Sequence, residues 1–372
     1  MSETMSQVYT EESPSSFFKP RRWSLFSSGN YPYVCARVRA KRAFLLPVDV
    51  YKKLMVMDTH EITRFLGESQ YKKEITELGI KAAGSELIEL ALNRNIAEVY
   101  QQILEYCEGD LATMLSAYLQ REDIWNIKTI LRGKSYNAKP EEIMKAVRST
   151  GKYPDEYWQD IVQHSKNVQE AIELLNGNDY YSIVSTFKDD WEKHPDLCEN
   201  KLELAYYDVL LKSIPPHSAA NRLFLEYIRE EIDLVNLKTL LMTKYESVEP
   251  AVIASMILPN GKLPDKVMHP LIDAPDFSRF LEELRKIPEY HALSQNIEAI
   301  ERTNSLSHII RVSEKNHLKK ATKRSYLHPL SILPILDYII RKRIEVENLR
   351  ILTRVKEKGL PEEIIEELMV IE

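Results

Sequence analysis

Apolar residues along most of this chain return every three or four positions. Ile88, Leu92, Ile96, Val99 and Ile103 step by 4, 4, 3 and 4 residues. At about 3.6 residues per turn these side chains share one helical face, while Glu89, Arg94 and Gln101 fall largely elsewhere. The strict alternation of a half-buried strand is hard to find. Proline supplies most of the punctuation. The pattern predicts an all-α fold.

The pattern also repeats at long range. Asp123-Ile124-Trp125-Asn126-Ile127-Lys128 matches Asp233-Leu234-Val235-Asn236-Leu237-Lys238, and both resemble Glu345-Val346-Glu347-Asn348-Leu349-Arg350. The three asparagines are 110 and 112 residues apart. Pro140, Pro250 and Pro361 are each expected to open an apolar-patterned helix, at separations of 110 and 111. Proline suits the first helical turn, where its missing N–H would be unpaired anyway. Pro47, ahead of Val50 and Leu54, reads as a fourth member of that series. Gly151-Lys152-Tyr153-Pro154-Asp155 parallels Gly261-Lys262-Leu263-Pro264-Asp265, and Tyr71, Tyr180 and Tyr290 each follow an apolar helix end.

The markers divide the chain into a mobile tail at 1–29 and three homologous helical units at 30–125, 126–235 and 236–348, with a closing helix at 349–372. The first unit is shorter by about a helix and lacks the Gly-Lys-x-Pro-Asp segment. The long Asn-containing helices join one unit to the next. A period near 110 residues is too long for a solenoid of helix pairs. It suggests three subdomains around a pseudo-three-fold axis.

Composition removes several function classes. Charged residues make up 28% with a net charge of -6, so a basic nucleic-acid surface is not expected. Glycine, at 10 of 372 residues, is too scarce for a chain built on hairpins or phosphate loops. Cys35, Cys107 and Cys198 are far apart, which suggests neither a disulfide framework nor a metal knuckle and fits a reducing compartment. The most apolar run, Leu330 to Ile340, is short and holds Pro334 and Asp337, so it does not read as a membrane span. Met1 to Ser28 has no apolar core of the kind a signal peptide needs.

Residues with chemical potential do not assemble into a motif. His60-Glu61-Ile62-Thr63-Arg64 starts like a zinc-protease helix, but Arg64 stands where the second histidine belongs. Gly79 and Gly84 frame a Walker-like spacing without the lysine that would follow, and a helix–helix connection is expected there. Glu226, Glu230 and Asp233 share a helix with Arg222 and Arg229 and read as a solvated, charge-laced face. Asn126, Asn236 and Asn348, each flanked by apolar residues, are expected to pair with backbone at a subdomain junction. Arg311 to Arg324 holds Arg311, Lys315, Lys319, Lys320, Lys323 and Arg324 against one acid, Glu314. That patch is either a solvated face or a contact for an acidic partner or anionic headgroups. No catalytic, cofactor-binding or metal-binding residue is expected.

Two segments resemble a known family. Tyr33-Val34-Cys35-Ala36-Arg37-Val38-Arg39-Ala40 looks like the opening of the C-type stalk component of archaeal A-type and bacterial V/A-type ATP synthases, itself similar to the d component of eukaryotic V-type ATPases. Tyr338-Ile339-Ile340-Arg341-Lys342-Arg343-Ile344-Glu345 and the following Val346-Glu347-Asn348-Leu349-Arg350 resemble that family's C-terminal signature, and the Asp-x-x-Asn elements match its internal copies. The resemblance implies three similar helical domains forming a funnel. It implies a non-catalytic central-stalk (rotor) part between the proteolipid ring (K/c) and the shaft formed by the D and F polypeptides, in a complex with A, B, E, H and I. The location implied is peripheral, on the cytoplasmic side of the cell membrane. No cofactor is implied. A soluble helical adaptor without a rotary partner is the alternative, and a helical enzyme assembled from all three units is a third possibility.

Overall fold

The computed structural model describes residues 29–148, 150–290, 293, 306–361, 365 and 368–371, and among these there is no strand. The expected tail and the stretch after Pro361 lie wholly or largely outside the described residues. The chain opens with α1 (Tyr31–Arg42), α2 (Val48–Met55), α3 (Thr59–Gly67), α4 (Lys72–Leu78), α5 (Gly84–Tyr106) and α6 (Gly109–Leu119). It continues with α7 (Arg121–Ser135), α8 (Pro140–Ala146), α9 (Asp155–His164), α10 (Val168–Leu174), α11 (Tyr181–Val184) and α12 (Pro195–Ser213). Then come α13 (Ala219–Tyr245), α14 (Pro250–Met256), α15 (Asp265–Asp273), α16 (Phe277–Arg285), α17 (Leu306–Leu327) and α18 (Leu333–Glu357).

The short helices start where side chains can take up free backbone N–H groups. Asp58 caps α3, with Glu61 bonding back to the Asp58 N–H at 2.9 Å. Asn167 caps α10 and Asp276 caps α16 through N–H···O bonds of 2.8 and 2.7 Å. Pro140 and Pro250 are the first residues of α8 and α14, as the sequence pattern required. Pro47 belongs elsewhere. It stands in extended backbone just before α2, as Pro154 does before α9 and Pro264 before α15. The three loops ending in these prolines are the counterparts of one another.

Long helices pack in a cyclic order. α7 lies on α12, α13 on α17, and α18 returns to the first third of the chain to lie on α5 and α1. One apolar cluster runs from Tyr31 to Ile232 in the first half of α13 and takes in Leu258, Leu318, Ala321 and α18, while a second, from Leu237 to Ile309, includes residues of α14–α16. The apolar run of the sequence forms the start of α18. It is apolar all round because Ile332 to Ile340 are buried on every side, with Asp337 held by Arg42 at 2.6 Å and Arg341 at 3.1 Å. Among the described residues no helix is long and apolar enough to cross a membrane. Cys35, Cys107 and Cys198 are free thiols in the core.

Candidate functional site

The three asparagines make the same bond pair. Asn126, Asn236 and Asn348 donate their side-chain N–H to the carbonyls of Arg148, Leu258 and Val370 at 2.7, 2.9 and 2.8 Å. Their side-chain oxygens accept the N–H of those same residues at 2.8, 2.8 and 2.9 Å. Each partner lies 22 residues further along the chain. A buried amide used in this two-way fashion satisfies itself and a loop residue together. The partner is backbone, as expected, but it lies in the loop beyond the following short segment.

One helical turn earlier stands a carboxylate. Asp123 accepts the N–H groups of Lys152 and Tyr153 at 2.8 and 3.3 Å, and Asp233 those of Lys262 and Leu263 at 3.1 and 3.2 Å. These bonds explain the repeated glycines: a Cβ on Gly151 or Gly261 would drive into the carboxylate of Asp123 or Asp233. In α18 the acid is Glu345, which accepts the N–H of Leu46 at 2.6 Å. Its extra methylene reaches the loop from further back, and Phe44 stands where the other two loops have glycine. Glu345 also holds Gln70, Tyr71 and Lys342 at 2.8, 2.6 and 2.9 Å. The two tyrosines related to Tyr71 by spacing bond differently, Tyr180 to Gln120 and Tyr290 to the Asp233 carbonyl.

Two further recurrences flank the asparagines, and the first escaped the sequence pattern. Eight residues after its asparagine, Lys134 donates to the Val162 and Ser165 carbonyls, both at 2.6 Å. Lys244 does the same to Ile272 and Ala274 at 2.5 and 2.7 Å, so each ammonium caps a helix C-terminus. Two residues after each asparagine, a cation reaches a glutamate on the helix alongside: Lys128–Glu203 at 2.5 Å, Lys238–Glu314 at 2.6 Å and Arg350–Glu89 at 2.8 Å. The constant offsets from asparagine were the available signal. The cations of the second set close the repeated segment, but lysine and glutamate are so common on helix surfaces that nothing marked their glutamate partners or the Lys134 and Lys244 pair.

α7, α13 and α18 converge, with α12 and α17, on a cavity of about 490 Å3. Five residues before each asparagine the helices present Arg121, Glu231 and Arg343 to it. Arg121 pairs with Glu231 at 2.5 Å, and the Tyr207 hydroxyl donates to the same carboxylate at 3.2 Å. Burial alone would raise the Glu231 carboxyl, but Arg121, Arg343 and His317 outweigh it and hold it below its usual range. Burial keeps the His317 imidazole below its usual range despite Glu231 and Glu230. Around the walls, Lys128 holds Glu203, Lys238 holds Glu314, Arg132 holds Glu199, and Arg148 holds Glu122 at 3.3 Å. Leu234, Val235, Ile340 and Ile344 supply apolar surface between the charges. Most of the wall charge is thus tied up in pairs, and what the cavity offers is shape, apolar area and a fixed charge pattern.

The other sequence candidates are structural. His60 is exposed in the first turn of α3, and Glu61 serves the capping box there. Gly79 to Ala83 connect α4 to α5. Glu226 and Glu230 bridge elements: Lys262 reaches them at 3.3 and 2.6 Å, and Arg324 at 3.1 and 2.7 Å. Asp233 is a loop anchor. The basic stretch is divided, since Arg324 and Arg311 enter ion pairs while Lys319, Lys320 and Lys323 stay exposed on α17. Among the described residues no cluster of histidine, cysteine and acidic side chains could hold a metal ion.

An all-helical chain whose long helices surround a cavity is thus the class that fold and site define. It belongs to the ATP synthase (C/AC39) subunit family, whose model matches residues 34–368. A protein of Methanococcoides burtonii, named as the C subunit of an A-type ATP synthase, is 40% identical, covering 93% of this chain and 95% of its own length. Relatives of the same name from Methanosarcina acetivorans and Archaeoglobus fulgidus are 37% and 35% identical, each over 92% of this chain.

Proposed function

We propose that this chain is the non-catalytic central-stalk component of a rotary A-type ATP synthase. It would couple a proteolipid ring to the D and F shaft, so that ion movement drives ATP synthesis in the A and B polypeptides. The observation that carries this is the match to a Methanococcoides burtonii relative bearing an A-type ATP synthase name, over more than nine-tenths of both chains. The cavity fits it: three converging helices with paired charges make a stiff socket, because close-packed helical interiors deform little. The socket would receive the end of the shaft.

On this reading three units, 30–125, 126–235 and 236–348, would surround the cavity. The recurring bonds support that division. They add that α18 serves the first unit as α7 serves the second and α13 the third, since Glu345 anchors the loop before Pro47. The first unit, short by a helix in sequence, would be completed by the C-terminal segment.

A pull-down from detergent-solubilised membranes, with mass spectrometry of what is retained, tests the assignment. Recovery of ring and shaft polypeptides is expected, and their absence from a complex holding this chain would refute it. The chain alone is expected to give no saturable heat with Mg-ATP at about 100 μM protein, a concentration suited to weak sites. A stoichiometric isotherm would contradict that.

The exposed lysines of α17 are assigned to docking on an acidic ring or headgroup surface. Reversing Lys319, Lys320 and Lys323 to glutamate is expected to weaken retention on washed membranes that carry the rest of the complex. Each lysine near such a surface contributes roughly 1 kcal/mol, and salt screens that within about 10 Å, so the loss should be largest at low ionic strength. The melting temperature should barely move, since exposed changes usually shift stability by less than about 0.5 kcal/mol each, in either direction. Normal retention at every salt concentration would make the three lysines a solvated face.

A further inference from the structure

The centre of the cavity is unbalanced in a way that specifies what enters it. Arg121, Glu231 and Arg343 occupy corresponding positions, five residues before the three asparagines, so two guanidinium groups face one carboxylate. Arg121 takes that carboxylate at 2.5 Å. The other cavity-facing glutamates on α7, α12 and α17 already hold cations. Among the described residues no carboxylate comes within 4.0 Å of Arg343. Arg343 is half-buried on the cavity wall, one turn after Ile340 and next to Ile344.

A guanidinium carries five donors in a planar fork. Glu231 and the Tyr118 and Tyr100 hydroxyls favour the Arg343 charge from a distance, but its fork has no carboxylate within bonding reach, and a carboxylate that met it with two bonds would gain the geometry those groups do not supply. Glu231, the acid that Arg343 feels, is taken by Arg121 on one oxygen and leaves the other without a hydrogen-bond partner, so a carboxylate for the Arg343 fork has to come with the ligand. The ligand also has to bring apolar surface, because Leu234, Val235 and Ile344 line the same space. At about 490 Å3 the cavity is the size of sites that enclose a ligand rather than graze it. A small free anion would need several convergent donors, and Arg121 is committed. A side-chain carboxylate on an apolar helical tip supplies both requirements.

We propose that Arg343 is the receiving residue for a carboxylate carried on the protein element that enters the cavity. The inference rests on the socket function proposed above and names its recognition chemistry. Arg343 sets the specificity of docking by discriminating an acidic tip from a neutral or basic one.

The test uses the full chain and the purified D–F shaft complex, with affinity measured over a range of salt. Arg343→Gln is expected to weaken binding about 30-fold and to flatten its salt dependence, as loss of one partner of an enclosed charge pair does. Arg343→Lys keeps the charge but loses the fork and should fall between the two. Arg343→Glu should be rescued by an acidic-to-lysine change at one position of the shaft tip, a readout that a merely structural role would not give. Melting curves accompany each variant, and Arg343→Lys preserves the comparison if Arg343→Gln unfolds. Equal affinity of the shaft for wild type, Arg343→Gln and Arg343→Lys would overturn the proposal and leave the socket function standing. Failure of the wild-type chain to bind the shaft would overturn both. Saturable binding of inorganic phosphate that Arg343→Gln abolishes, with shaft affinity unchanged, would assign the site to a free anion and overturn it as well.

Discussion

Replacing Glu345 with alanine is expected to cost about 3–5 kcal/mol of folding stability, the usual loss when one member of a buried ion pair is removed. Glu345 is 3% exposed and Lys342 is fully enclosed, with their charges 2.9 Å apart. The same carboxylate accepts the Leu46 N–H, the Gln70 amide and the Tyr71 hydroxyl, so alanine would strand four donors together. The Lys342 ammonium, 4.3 Å from the centre of the Tyr71 ring, would keep only that ring and its hydroxyl. Burial already pulls the Lys342 pKa down, and without Glu345 it would shed its proton more readily. The double variant Glu345→Leu with Lys342→Met should lose far less than Glu345→Ala alone, because no charge is then left unpaired. Denaturant midpoints of the two variants check this. Equal losses would show that loop anchoring, and not the stranded cation, dominates. The position also ties α18 to the loop before α2, so the loss should appear as early opening of the N-terminal helices in hydrogen exchange.

Much of this architecture was legible because period and punctuation are local signals. The spacing of Ile88, Leu92, Ile96, Val99 and Ile103 placed the buried face of α5, and four of the five are under 9% exposed while Val99 stands at 9%. The asparagine repeat marked three places that use one bonding scheme, because a buried amide tolerates few substitutions once it must serve the N–H and carbonyl of one residue. Pro47 reads wrongly from sequence for a physical reason. A proline before a helix and a proline at its first position look alike in sequence, and only the loop N–H bonded to Glu345 shows which is which. The missing glycine in that loop is explained by the same swap of Glu for Asp. The resemblance implied a funnel, but the residues that line the cavity could not be read. Arg121, Glu231 and Arg343 are separated by more than a hundred residues at each step, and each sits among other charges of ordinary appearance. Their meeting depends on helix packing that no local pattern encodes. The division of the basic stretch was hidden likewise, since Arg324 is withdrawn by acids on α13.

The contribution of Asp123 and Asp233 to the stability of the fold is expected to fall as pH rises from about 4 to 7, and Asp123→Asn should remove the larger part of it. Burial pushes the Asp123 carboxyl up to about 7, against the Lys152 and Tyr153 N–H bonds that pull it down. Asp233, less enclosed and held by the same kind of bonds, is pushed up to about 6. The unfolded chain releases these protons near the ordinary aspartate value of about 4, whereas the folded chain keeps them until pH 6–7. The folded state therefore binds more protons across that window, and by linkage the stabilising difference is full below pH 4 and lost as pH climbs through the folded values. For Asp123 the loss is on the order of 4 kcal/mol, at about 1.4 kcal/mol for each unit. Asparagine has the same shape, still accepts a loop N–H and carries no proton in this range. Its stability relative to wild type should therefore improve steadily between pH 4.5 and 8, whatever constant offset the lost second bond introduces. Unfolding free energies of both proteins at half-unit intervals decide the matter. A difference that stays flat with pH would mean that Asp123 is already ionised in the folded protein throughout, with the two N–H bonds outweighing its burial.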